Sequence, residues 1–115
     1  MRNMSFSATV QQVRDGTKDV TRRVGWKTLQ PGEVLRAVEK GQGLRKGEKV
    51  KPIRLIEVVR VREEPLNAIT PEDVVREGWP QSDPEEFVAF FCDFNMHRPE
   101  WPVTRIEFKY LEATP

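Results

Sequence analysis

Eight residues near the start of the chain, Gly16-Thr17-Lys18-Asp19-Val20-Thr21-Arg22-Arg23, combine a glycine turn, an amine, hydroxyls and two guanidinium groups. In an extended strand Thr21 and Arg23 share a face, because side chains alternate with a period of two. Lys18, three positions before Thr21, would point to the opposite face of that strand. It meets Thr21 only from a turn, and Gly16 gives the backbone the freedom to make one. Converging, the three offer a hydroxyl nucleophile, an amine to act as its base, and a cation for a phosphate or a developing oxyanion. Lys18 works as a base only if its pKa falls toward neutrality, which burial and the charges of Arg22, Arg23 and Lys27 promote. The plainer alternatives are a strand-favouring Thr21 and an Arg23 that pairs with a neighbouring carboxylate.

A second cationic feature lies further on. Gly41 to Lys49 holds three glycines and three basic residues, Arg45, Lys46 and Lys49, without apolar periodicity, which predicts a mobile surface loop. The whole chain carries a net charge of +1, yet it is segregated: residues 1–62 sum to +9 and the remainder to −8. This implies a basic surface that attracts phosphates, unless the two parts pair with each other. Lys18, Arg23, Lys40, Arg45, Lys46 and Lys49 are the candidate phosphate contacts. Trp26 and Trp79 suit stacking on a base, although partly buried core is the commoner fate of tryptophan.

The elements that must position these groups follow from 115 residues, one domain's length, enough to bury roughly two thirds of the unfolded chain's surface. Ala8 to Asp15 predicts a short helix stopped at Gly16. Asp19 to Val24 and Val34 to Val38 read as strands around a Gln30-Pro31-Gly32 turn, and Ile53 to Val61 as a long strand. Thr70-Pro71-Glu72-Asp73 and Asp83-Pro84-Glu85-Glu86 each start a helix with an N-cap side chain, a proline and acidic residues. Gly78 ends the first of these helices. Phe87, Phe90, Phe91 and Phe94 recur at helical spacing in the second, and all four are expected in the core. Val103 to Leu111 alternates Ile106, Phe108 and Tyr110 with Arg105, Glu107 and Lys109, a half-buried strand. The order predicts an α+β domain, residues 1–115, with a curved or barrel-like sheet.

Several classes are excluded. Cys92 alone makes no intrachain disulfide, and with His97 as the only histidine there is no Cys/His zinc site. Neither a metal nor a cofactor is expected. The longest apolar run, Val88 to Cys92, is far short of a membrane span, and the polar start resembles no signal peptide, so cytoplasmic residence is expected. Cys92 and His97 have no visible catalytic partner. The oligomeric state stays open.

Gly16-x-Lys18-x-x-Thr21-x-Arg23 resembles the Gly-x-Lys-x-x-(Glu or Thr)-x-Arg signature of the ASCH superfamily, small β-barrels similar to the RNA-binding PUA fold. Leu29-Gln30-Pro31-Gly32-Glu33-Val34-Leu35 resembles the family's proline-glycine turn, and Ile53 to Val61 its next strand. Glu77-Gly78-Trp79 and Val103-Thr104-Arg105-Ile106-Glu107-Phe108 resemble its closing pattern. The resemblance implies a small PUA-like β-barrel with flanking helices, and RNA or a modified nucleoside as partner. In one branch, amidohydrolases of N4-acetylcytidine, the catalytic trio would fall on Lys18, Thr21 and Glu77. Threonine at the fourth motif position leans toward that branch, whereas the basic loop is longer than in its compact members. The alternatives are a non-catalytic RNA-binding module and a ribonuclease, the latter weakened by the lack of an acid/base histidine.

Overall fold

The computed structural model describes residues 1–41 and 44–112. Three of its strands form where β-branched and aromatic residues were expected: β2 (Val20–Arg23), β3 (Val34–Val38) and β5 (Pro102–Tyr110). The central strand β4 (Pro52–Pro65) runs 14 residues, longer than Ile53 to Val61 predicted. A short first strand, β1 (Asn3–Ser5), was not legible, since Asn-Met-Ser has no strand signature beyond one apolar residue. The sheet order is β1-β3-β4-β5-β2, with β1 parallel to β3 and every other pair antiparallel.

The sheet curls without closing. Register shifts between Val58 and Arg60 on β4 and between Ala37 and Val38 on β3 sharpen the bend. The edge strands β1 and β2 approach each other, but among the described residues no ladder joins them. Side chains bridge that seam instead: Phe6, just after β1, lies 4.7 Å beneath the Arg23 guanidinium, and Arg2 lies 5.0 Å over the Trp26 ring. The α+β class stands, whereas the barrel is open along one side, because edges of three and four residues are held apart by large cationic and aromatic groups.

Helix α1 (Val10–Arg14) is the predicted first helix. At α2 (Pro71–Arg76) Thr70 accepts from the Asp73 backbone N–H, and at α3 (Pro84–Asn95) Asp83 and Glu86 form a reciprocal capping box. Two apolar clusters follow. One fills the curl of the sheet with Met4, Phe6, Val13, Leu35, Ile56, Ile106 and Phe108; the other, of Leu66, Ile69, Val74, Phe87, Phe91 and Val103, lies under α2 and α3. The phenylalanine stripe therefore divides. Phe87 and Phe91 are core as expected, but Phe90 and Phe94 are 43% and 58% exposed. A 12-residue helix set on a small domain buries one narrow side of its apolar arc and leaves the flank open. Arg105 departs in the opposite sense: alternation put it on a solvated face, and it is buried because α2 covers that face.

Candidate functional site

The turn that delivers Lys18 is built locally. Gly16 takes a φ of +77°, and the Thr17 backbone and hydroxyl both donate to Asp15 Oδ1. The Asp19 N–H then donates to the Arg76 carbonyl at 3.0 Å, and the Asp19 carboxylate receives two bonds from the Arg76 side chain at 3.0 and 3.1 Å. These contacts fix the end of α2 beside the start of β2. They put Glu77, the C-cap of α2, against Lys18: Nζ donates to Glu77 Oε1 at 2.8 Å and to the Glu77 carbonyl at 2.7 Å. Close packing here requires Gly78, whose φ is +101° and where a Cβ would stand 2.9 Å from Gln12 Cγ and 3.5 Å from Lys18 Cβ.

Alternation along β2 gives its residues different neighbours. Thr21 stands opposite Ile106 in the ladder and Arg23 opposite Thr104, so both belong to the inner face; Arg22 stands opposite Arg105 on the face that α2 covers. Arg23 Nε donates to Thr21 Oγ1 at 3.1 Å. Because the Thr21 oxygen accepts that bond, its own hydrogen is directed elsewhere. Arg22 is held by three carboxylates: Asp73 at 2.6 Å, Glu64 at 2.9 Å and Glu77 Oε2 at 3.1 Å. Arg105 donates to the same Asp73 Oδ2 at 2.7 Å and to Oδ1 at 3.1 Å. A carboxylate at a helix C-terminus is unfavourable by itself, and for Glu77 the two cations Lys18 and Arg22 offset that cost.

The charges are perturbed accordingly. Burial pushes the Lys18 ammonium below its ordinary range; Glu77 opposes this, and Arg23 and Arg22 add to it. Burial also lowers Arg23, to about 10, with Glu77 opposing. Asp73 lies well below the ordinary carboxylate range, first through its hydrogen bond from Arg105 and then through Arg22. Among the described residues Arg23 has no carboxylate within salt-bridge distance, unlike Lys18, Arg22 and Arg105, and the buried Arg22 Nε has no partner.

Three motif side chains, Lys18, Thr21 and Arg23, line one cavity of about 560 Å³ in the seam between β1 and β2, together with Glu77. Lys18, Thr21 and Glu77, each nearly inaccessible, meet there with the half-buried Arg23. The lining also includes Ser5, Phe6 and Lys40, together with Trp79 from the α2–α3 connection and Phe90 and Phe94 of α3. Trp26 and Trp79 are half-buried, each packs against one of the apolar clusters as expected of tryptophan, and both also line the cavity. Lys40 lies at the cavity and pairs with Glu48 at 3.4 Å. Lys27 does not join them: it is exposed, 3.7 Å from Glu63, beside a separate shallow depression. Arg45, Lys46 and Lys49 are exposed and outside the cavity lining. Residues 42–43 of the predicted loop lie outside the described residues. Cys92 and His97 are not in the lining, and among the described residues no group of three or more metal-ligating side chains occurs.

Sequence reasoning missed Arg22 as a hub, together with Asp73, Arg105, Phe6, Phe90 and Phe94. The Arg22–Arg105 register across two strands would have given a signal, since two like charges directly opposite require carboxylates between them.

No protein-family model matches the sequence, and no curated protein matches it. Solved structures do. A protein of Enterococcus faecalis assigned to the family model DUF984 superposes with a TM-score of 0.66 at 17% identity, covering 96% of this chain and 76% of that one. An ASCH domain from Lactobacillus crispatus gives 0.65 at 17% identity, with coverage of 95% and 78%. The chain has the ASCH-domain fold. A hypothetical protein of known structure has the same fold, with a TM-score of 0.65 at 15% identity over 96% of both chains. At such identities the ASCH likeness concerns the backbone alone.

Proposed function

We propose that the cavity recognises a modified nucleoside and removes an N4-acyl group from cytidine, with Lys18, Thr21 and Glu77 as the reacting set. The observation that supports this is their meeting at one cavity, with Lys18 Nζ anchored twice by Glu77. Two of the amine's three substituent directions are thereby assigned. The third carries a lone pair when Lys18 is neutral and an N–H when it is charged, so one position both takes and returns a proton. Glu77 acts by aiming that position.

In the proposed reaction Thr21 Oγ attacks the acyl carbon and its proton passes to neutral Lys18. Arg23, which already donates to Oγ1, stabilises negative charge there and has Nη groups for the oxyanion. Collapse breaks the bond to N4, Lys18 returns the proton to the leaving amine, and cytidine departs. Water then hydrolyses the threonine ester and releases the acid.

Incubating the protein with N4-acetylcytidine and resolving cytidine by chromatography tests this. Cytidine should form with the wild type and not with Lys18→Ala. A second reading, a non-catalytic RNA-binding module, is favoured by the exposure of Arg45, Lys46 and Lys49 on the connection that begins at Lys40 and Gly41 of the cavity. No cytidine, together with RNA binding that weakens steeply with salt, would establish that reading instead.

A further inference from the structure

The row of rings on the α3 side of the cavity has no use in the proposed reaction. Trp79 and Phe90 lie 5.5 Å apart between centroids, and Phe90 and Phe94 lie stacked at 5.5 Å with 26° between their planes. All four phenylalanines of α3 border the cavity, but Phe87 and Phe91 are buried in the core whereas Phe90 and Phe94 keep 43% and 58% of their surface exposed. Exposed aromatic surface bordering a cavity with convergent polar groups marks a ligand contact more than a folding contact.

Charge argues for what covers it. The cavity lining contains Lys18, Arg22, Arg23 and Lys40 against Glu77 alone. Among the described residues Arg23 has no carboxylate partner, and the Lys40 pair with Glu48 is solvent-exposed, leaving Lys40 readily available to another anion. The acidic side chains of α3, Glu85, Glu86 and Asp93, are not in the lining, so they do not oppose a negative linker near Lys40. Open rings and two cations, Arg23 and Lys40, lining the same cavity suit planar bases joined by a phosphodiester.

We infer that Phe90 and Phe94 form a stacking subsite for the base next to the reacting cytidine, so that the ligand is an oligonucleotide and not a free nucleoside. This rests on the reading of the cavity as a cytidine site. The neighbouring base lies against the exposed rings, its phosphodiester toward Lys40, while the cytidine ring occupies the floor at Lys18, Thr21 and Arg23.

Calorimetric titration with cytidine, cytidine monophosphates and dinucleotides bearing uridine on either side of cytidine tests this without turnover. One dinucleotide should bind about tenfold tighter than the corresponding monophosphate, the size of one base-aromatic stack. Phe94→Ala, at a position exposed enough to spare folding, should abolish that gain and leave cytidine binding unchanged; Phe94→Trp should retain it. Equal affinity for monophosphate and dinucleotide overturns the subsite while leaving the nucleoside site intact. A gain shown only by N4-benzoylcytidine, and lost in Phe94→Ala, overturns it also, by assigning the rings to the acyl group. Failure of every cytidine ligand to bind overturns both readings.

Discussion

Thr21 and Lys18 have testable consequences that packing alone does not give. Thr21→Ala should lower turnover of an N4-acylcytidine by ~10²-fold or more and leave the melting temperature nearly unchanged, since the small hydroxyl it removes makes one hydrogen bond, from Arg23. Thr21→Ser should keep part of the activity. The rate should rise with pH through the lowered pKa of Lys18, because the neutral amine is the reactive form. Glu77 holds that pKa up, so Glu77→Gln should move the rising limb to lower pH while reducing the maximal rate through loss of aim. A limb that stays in place would remove Lys18 as the titrating group. At this scale the motif spacing was readable, since period-two alternation placed Thr21 and Arg23 together and Lys18 in the turn. The role of Arg22 was not, because it is set by β5 and α2, more than forty positions away in sequence, and not by its own neighbours.

Among the elements, the junction after α2 matters most to the site. Gly78→Ala adds both a strained positive φ and a contact 2.9 Å from Gln12, whereas Gly32→Ala, at a φ of +94° with nothing near, adds strain only. Denaturant unfolding should therefore show a loss of about 1 kcal/mol for Gly32→Ala and a larger one for Gly78→Ala, accompanied by reduced activity in the latter alone. The basic connection should behave oppositely: replacing Arg45, Lys46 and Lys49 with alanine should spare the melting temperature and flatten the salt dependence of any RNA binding. Helix starts were legible because caps and prolines act locally, as Thr70 and Asp83 do. The fate of Phe90 and Phe94 was not, because spacing gives the apolar arc of a helix but not how much of that arc the rest of the domain covers.

At the scale of the molecule, the segregated charges meet where they are buried. Lys18 and Arg22 of the basic part pair with Glu64, Asp73 and Glu77 of the acidic part, while the Asp19–Arg76 pair is part-exposed. Interleaving of β2 beside β5 thus neutralises the interior, and among the described residues Arg23 is left without a carboxylate partner at the cavity. Asp73 has a folded-state pKa below its unfolded value of ~3.9. Its contribution is complete above that value and declines as pH falls through the folded one. Asp73→Asn should therefore cost about 3 kcal/mol at neutral pH, and its unfolding curve should converge on the wild type's as pH is lowered. The open seam was not legible, because strand patterns do not say which edges fail to pair, yet the seam is where the cavity forms. The most direct test of that cavity as a reacting site is the release of cytidine from N4-acetylcytidine by the wild type and by Lys18→Ala, compared at matched thermal stability. Turnover that falls by ~10²-fold or more in the variant is expected; equal turnover, or none by the wild type, would contradict Lys18 as the base of the reaction.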